Sequence, residues 1–243
     1  MKFIAVKTRA ILPPKDNLYP VLDKYLPALK DGDVIFITSK ILAIHQGRCL
    51  EKTAVPHKDE LVKQEADFFI PRAQVPGRFA ILTIKEHTLI PAAGIDKSNA
   101  NGYYVLWPKN ANQAAKEICN YLKNKNKLKN LAVVITDSHS IPMRYGVVGV
   151  AIGFFGLEPL KDCRRTLDIF GRKLRITKSN TVDALTATAV MLMGEGAEKT
   201  PILIVRGAGF VQFTSRHTYQ KLVIPPKEDI YYPLLKEFYK RRR

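Results

Sequence analysis

The chain has 243 residues, of which 46% are hydrophobic and 25% charged, and Lys and Arg number 39 against 22 Asp and Glu. This composition excludes a disordered acidic chain, a collagen and a disulfide-stapled mini-protein, and the length fits one large domain or two small ones. The formal net charge of +17 favours anionic ligands, which are either nucleic acid or small polyanionic substrates bound in a basic cleft.

Apolar periodicity predicts the secondary structure in chain order. Strands are expected at residues 2–7, 34–37, 78–84, 131–135 and 201–205, and helices at 17–29, 58–69, 112–122, 181–193 and 231–243. Because strands and helices mix without strict alternation, we predict an α+β fold with mixed sheets and flanking helices rather than a doubly wound sheet. One unit over residues 1–243 is expected, with two closely packed subdomains that divide near residues 130–140 as the alternative.

The cysteines and the apolar runs bear on the compartment. Cys49, Cys119 and Cys163 are an odd number without CxxC spacing, which is typical of reduced thiols in a cytoplasm. The longest uncharged apolar run covers only 13 residues, 145–157, whereas a membrane-spanning helix needs about 20. The N-terminal apolar stretch is too short for a signal peptide, so the sequence predicts a soluble cytoplasmic protein.

Three loops combine carboxylates with glycine or hydroxyl groups. Asp96 lies in the run Gly94–Asn99 and is either a cation ligand or the centre of an Asx turn. Asp137 and Ser138 end an apolar strand, where they either face a ligand or cap the next element. Glu195 stands between two glycines and is either a cation ligand or a solvated residue after a helix. Together the three loops indicate a site for a metal and phosphates.

Several residues are candidates for binding anions. Arg144 and Arg172 each stand beside a glycine turn and are either anion-binding residues or part of a solvated face. Ser39 and Lys40 leave an apolar strand and could cradle a phosphate. His139 is either a substrate contact or a surface histidine. The sequence contains no P-loop, no GxGxxG, no HExxH and no GxSxG. P-loop and Rossmann nucleotide sites, zinc hydrolases of the HExxH type and α/β-hydrolases are therefore disfavoured.

Five stretches, which lie within residues 2–206, together suggest a family: DGDVIFITSKILAIHQGR, AGIDKSNANGYYVLWP, ITDSHSIPMRYGVVGVAIGFFGLEPLKD, DIFGRKLRIT and VDALTATAVMLMGEG. With these the chain resembles the gamma-glutamyl ligases that add L-glutamate to the precursor of the deazaflavin coenzyme F420. It is similar above all to the bacterial branch assigned to folate metabolism. The resemblance implies an intertwined homodimer that uses GTP or ATP and a divalent cation, Mg²⁺ or Mn²⁺, with a monovalent cation as a further candidate. It also implies L-glutamate and a folate-type or deazaflavin acceptor as substrates, joined through an acyl phosphate, without nucleic-acid or membrane partners.

The resemblance also implies site residues. The metal ligands would be Asp96, Asp137, Ser138 and Glu195. The nucleotide would contact Ile11, Leu12, Pro13, Ser39, Lys40, Asn99, Gly194 and Gly196. We expect Asp96, Asp137 and Arg144 to serve catalysis, and Arg172 and His139 to bind substrate.

Two departures from the coenzyme branch stand out. Ile44 and Ile141 occupy positions that are usually Lys and Arg there, so cations near the phosphates are lost and Lys40, His45 or Arg48 could substitute. These two departures suggest a relative with altered catalysis as one alternative, and the net charge leaves a basic nucleic-acid-binding protein as the other. The apolar stretch 147–157 is either a dimer contact or part of the core.

Overall fold

The computed structural model describes residues 1–239, within which the chain forms twelve strands and six α-helices. The strands are β1 Lys2–Val6, β2 Asp33–Thr38, β3 Cys49–Glu51, β4 Phe68–Ile70, β5 Leu82–Lys85, β6 Thr88–Pro91, β7 Tyr103–Val105, β8 Leu131–Ser140, β9 Val147–Phe155, β10 Leu160–Asp162, β11 Lys178–Asn180 and β12 Ile202–Arg206. The helices are α1 Leu18–Tyr25, α2 Ser39–His45, α3 Lys58–Glu65, α4 Ala111–Asn126, α5 Thr181–Met193 and α6 Tyr232–Tyr239.

The largest sheet has the strand order β1-β12-β2-β8-β9. Strands β2 and β8 run parallel, and the other neighbours in this sheet are antiparallel. The parallel register pairs Thr38 with Thr136, so both strands reach the same edge of the sheet side by side. The residues that follow these two threonines are therefore neighbours, although about a hundred positions separate them in the chain.

Helices cover the two faces of this sheet. Along β2, Ile35 and Ile37 point into a core shared with α1, α2 and α4, while Val34 and Phe36 point into a second core shared with α5. All four side chains are fully buried. The uninterrupted apolar run of β2 follows from this arrangement, because a strand covered on both faces needs no polar alternation.

Residues 49–106 form a smaller lobe between α2 and α4. It contains the antiparallel sheet β4-β5-β6 and the two-stranded ladder β3-β7. A separate apolar cluster, which includes Leu61, Val62, Ile81 and Leu106, fills its interior. This lobe carries the loop with Asp96 to the edge of the large sheet, where Asp96 pairs with Val105 across an isolated bridge.

The predicted α+β class with mixed sheets is confirmed, and several predicted bounds are corrected. The helix expected over 17–29 ends at Tyr25, because Pro27 cannot continue it. The helix expected over 58–69 ends at Glu65, and β4 takes its place from Phe68. The strand expected over 78–84 begins only at Leu82, after a 3₁₀ turn in which Gly77 has a positive φ.

The structure also adds one helix, α2, and shows where the stretch 147–157, the suggested subdomain boundary and the C-terminal helix lie. Helix α2 was not predicted, and the apolar stretch 147–157 is largely strand β9, whose second half is buried in the core. Residues 131–140 form the interior strand β8, so the large sheet runs across the suggested subdomain boundary. The predicted C-terminal helix spans Tyr232–Tyr239, and residues 240–243 lie outside the described part. None of the helices within residues 1–239 combines the length and apolarity needed to cross a bilayer.

Candidate active site

A cavity of about 500 Å³ opens where β2 and β8 end. Five separate chain segments contribute to its lining, within residues 8–13, 38–44, 94–106, 136–138 and 190–201. The three carboxylate loops singled out from the sequence are therefore all part of one site. The parallel pairing of β2 with β8 accounts for two of these segments, since it places Ser39 and Asp137 at the same sheet edge.

Asp96 is held by its own loop and by a lysine from α2. Its Oδ1 accepts hydrogen bonds from the backbone N–H of Lys97 at 2.5 Å and of Ser98 at 2.8 Å. Its Oδ2 lies 2.5 Å from Lys40 Nζ, and the same ammonium donates to the backbone oxygen of Ser98 at 2.9 Å. Burial raises the pKa of the Asp96 carboxyl, but Lys40 and Ser98 more than compensate and hold it below its ordinary value. Asp96 is therefore an anion with an adjacent cation.

Asp137 lies on strand β8 with a donor on each carboxylate oxygen. Oδ1 accepts from the backbone N–H of Ser138 at 2.8 Å, and Oδ2 accepts from the indole Nε1 of Trp107. Burial, with a smaller contribution from the charge of Asp96, raises the pKa of Asp137 to about 6. A carboxylate whose charge is disfavoured by burial gains more than an exposed one from a bound cation.

The glycine loop after α5 closes the cavity from the opposite side. Gly194 has a φ of +81°, and the Glu198 carboxylate accepts from the backbone N–H of Gly196 at 2.8 Å. The side-chain amide of Asn99 donates to the backbone oxygen of Gly196 at 2.8 Å, which ties this loop to the loop of Asp96. Glu195 is exposed and lines the same cavity.

The segment after β1 forms a further wall. Arg9 donates to both oxygens of Asp16, at 2.5 and 2.8 Å, and Asp16 also accepts from the backbone N–H of Leu12 at 3.1 Å. This pairing fixes the loop that contains Ile11 and Pro13, which line the cavity.

Most of the predicted site residues meet in the cavity. The lining includes Ile11, Leu12, Pro13, Ser39, Lys40, Asp96, Asn99, Asp137, Ser138, Gly194, Glu195 and Gly196. Arg144 and Arg172 are exposed on loops outside it, and the His139 ring contacts the backbone oxygen of Leu89 instead. These three residues lie outside the cavity that contains the others, and their roles stay predictions.

The charges of the lining differ from the basic cleft that the net charge suggested. Within residues 1–239, the lining contains three cationic residues, Arg9, Lys40 and Lys199, and four acidic residues, Asp96, Asp137, Glu195 and Glu198. Of the proposed substitutes for the lost cations, only Lys40 reaches the cavity. His45 accepts from the backbone of Leu18, and Arg48 pairs with Glu65.

Sequence reasoning missed the role of Trp107. Its indole contacts Asp137 from a position 30 residues away in the chain. The only available signal was the Trp-Pro pair inside a stretch that carries the family resemblance.

Comparisons with known proteins identify the family of this chain. The family model described as F420-0:Gamma-glutamyl ligase matches residues 5–207. The relatives include three proteins named "Coenzyme F420:L-glutamate ligase". That of Methanosarcina barkeri is 30% identical, with 94% of each chain covered. That of Methanosarcina mazei is 31% identical, with 86% of this chain and 88% of the relative covered. That of Methanocaldococcus jannaschii is 31% identical, with 88% and 90% covered.

The fold and the comparisons together define the class of protein, which is an amide-bond-forming enzyme. The chain belongs to the family of F420-0:gamma-glutamyl ligases, because the family model covers most of its length.

Proposed function

We propose that the cavity is the active site of a gamma-glutamyl ligase that uses GTP or ATP to join L-glutamate to an acceptor carboxylate. The observation that carries this proposal is the meeting of Asp96, Asp137 and the glycine loop of Glu195 in one cavity. Loops of this kind suit phosphates and a hard cation, which a nucleotide-dependent ligase needs.

The lining fits a divalent cation, Mg²⁺ or Mn²⁺. Within residues 1–239 no three His, Cys, Asp or Glu side chains stand close enough to form a complete protein cage. Magnesium sites that act on nucleotides use one or two carboxylates and complete the shell with phosphate oxygens and water. Asp96 and Asp137 would be those carboxylates, with Ser138 and Glu195 as further oxygen donors. When bound, the cation would neutralise phosphate charge that this acid-rich lining otherwise repels.

The reaction follows from the chemistry of the substrates. A carboxylate is a poor acyl donor, because its leaving group would be an oxide. Transfer of the terminal phosphoryl group from the nucleotide to the acceptor carboxylate forms an acyl phosphate and releases the nucleoside diphosphate. The amine of L-glutamate then attacks the acyl carbon, the amide bond forms, and phosphate leaves as the amine loses a proton. Ser39 and Lys40 would orient the phosphates, which is what phosphoryl transfer demands of a protein.

The proposal includes the identity of the acceptor and the way in which the nucleotide phosphates are bound. The names of the relatives support a deazaflavin acceptor, whereas a folate-type acceptor rests on the resemblance to the folate branch alone. Ile44 lines the cavity, so the position that is usually Lys in the coenzyme branch offers no cation to the phosphates here. Ile141 lies outside the lining on an exposed loop, which limits its direct effect on the nucleotide.

We also propose that the enzyme is a homodimer. Met143 and Tyr145 are fully exposed at the tip between β8 and β9, and Ile169 and Phe170 are exposed on the loop between β10 and β11. Exposed apolar groups of this size mark association surfaces. Light scattering coupled to size-exclusion chromatography should give about twice the chain mass of 27.4 kDa. A monomer at micromolar concentration would contradict this part.

A phosphate-release assay tests the reaction. GTP and ATP are each combined with L-glutamate and with either tetrahydrofolate or the deazaflavin acceptor, and the product is identified by mass spectrometry. We expect release only when nucleotide, acceptor, L-glutamate and Mg²⁺ or Mn²⁺ are all present. Asp137→Ala should abolish it, while Asp162→Ala, which removes an ion-paired aspartate outside the cavity, should not. Phosphate release without an amide product, or full activity of Asp137→Ala, would overturn the proposal.

A further inference from the structure

Trp107 is the single tryptophan of the chain, and it is 2% exposed. Its indole N–H donates to Oδ2 of Asp137, while the backbone N–H of Ser138 donates to Oδ1. With one donor on each oxygen, the carboxylate plane of Asp137 is fixed. The remaining lone pairs of both oxygens stay available to a cation.

The backbone of Trp107 is anchored from the side of the smaller lobe. Arg48 donates from Nε to the carbonyl oxygen of Trp107 at 3.1 Å. The same guanidinium pairs with Glu65 at 2.7 Å, and Glu65 also pairs with Lys85 at 2.6 Å. All three charged side chains are largely buried, so Trp107 is attached to a rigid network and not to a solvated loop.

The edge of the indole packs against the loop that carries Asp96. A Cβ placed on Gly94 would lie 2.1 Å from Trp107 Nε1 and 2.5 Å from Cδ1, so only glycine fits there. Gly94 precedes Asp96 by two residues. Trp107 therefore contacts both carboxylate-bearing segments of the cavity, one through a hydrogen bond and one through packing.

We propose that Trp107 is a positioning residue that sets the orientation of the Asp137 carboxylate relative to Asp96, so that both carboxylates bind one divalent cation. This inference rests on the proposed function of the cavity. An indole N–H suits the task because it donates only: it neither accepts a proton nor coordinates a metal. Hydrogen bonds to metal-binding carboxylates typically change metal affinity 10- to 100-fold, although such donors never touch the metal.

The test measures Mn²⁺ binding by the intact protein, with free Mn²⁺ followed by electron paramagnetic resonance, first alone and then with GDP present. Trp107→Phe keeps an aromatic ring but removes the N–H, and we expect its Mn²⁺ dissociation constant to rise about 10-fold. Phe154→Leu is the matched control, because Phe154 is equally buried but packs on the opposite face of the large sheet. It should lose thermal stability without a change in Mn²⁺ affinity.

A second replacement avoids any change of side-chain shape. Because Trp107 is the single tryptophan, growth of a tryptophan auxotroph on β-(3-benzothienyl)alanine exchanges this one indole for an isostere that has sulfur in place of N–H. We expect the same weakening of Mn²⁺ binding with little change in the melting temperature. Unchanged Mn²⁺ affinity of the isostere would overturn the inference and leave the proposed function intact. Failure of the unmodified protein to bind Mn²⁺ would overturn both, whereas normal binding without ligase activity would overturn the proposed function alone.

Discussion

Gly94→Ala is the substitution whose effect can be worked out most directly from the structure. The new methyl group would lie 2.1 Å from Trp107 Nε1, whereas ordinary contacts begin at 3.4 Å. The indole or the loop must therefore shift by about 1.3 Å, and overpacking of this kind costs about 1–3 kcal/mol. The φ of +70° at Gly94 adds about 1 kcal/mol for any residue with a Cβ. We expect the free energy of unfolding to fall by about 3 kcal/mol.

Gly102→Ala is the matched control. Gly102 has a φ of +88°, and no atom lies within 4 Å of a Cβ placed there, so it reports the backbone cost alone. Urea denaturation followed by circular dichroism should give a loss of about 1 kcal/mol for this variant. In thermal unfolding the two variants should lose about 10 °C and about 3 °C, respectively. Equal losses would refute the close packing of Trp107 against Gly94.

Three further predictions concern single contacts. Arg9 holds the pKa of the Asp16 carboxyl down to about 2, so this pair stabilises the fold above the unfolded pKa of about 3.9 and loses its effect as the pH falls toward 2. Asp16→Asn should therefore lower the free energy of unfolding by about 1 kcal/mol at pH 7 and by less at pH 3, as measured in urea; a difference independent of pH would contradict this. Arg206→Leu leaves the fully buried Asp33 carboxylate without its cation and should cost about 3–5 kcal/mol in the same assay, with a loss below 1 kcal/mol as the contrary outcome. Asn99→Gly keeps the backbone conformation, because glycine adopts the φ of +49° without strain, but it removes the amide that donates to Gly196. Calorimetry should then show that nucleotide binding is weakened about 5-fold. Unchanged nucleotide affinity would mean that this hydrogen bond is dispensable.

The parts of the fold that the sequence predicted are those with a strong local signal. Residues 34–37 of β2, 131–135 of β8 and 202–205 of β12 are uniformly apolar because helices cover both faces of the sheet, and this pattern is visible without any long-range information. Helix α2 was not predicted, because it is only seven residues long and follows β2 directly, with no glycine or proline between the two elements.

In the candidate site, too, the residues with a local sequence pattern were predicted, whereas the contacts between distant segments were not. The loops of Asp96 and Glu195 were found because glycine beside a carboxylate is a local pattern. The ion pair between Lys40 and Asp96 and the hydrogen bond from Trp107 to Asp137 connect distant segments, and no periodicity reports such contacts. The basic cleft was expected from composition, but charge counted along the chain does not tell which residues face a cavity.

The position of β12 has a consequence for how the enzyme is made. It is the last strand within residues 1–239, yet it lies between β1 and β2 in the large sheet. During synthesis the first strand has no partner in this sheet until residue 206 has left the ribosome, and the glycine loop that closes the cavity emerges just before it. Closing so long a segment of chain is slow. We therefore expect that nascent chains do not turn over nucleotide, and that competence appears only after β12 has been synthesised.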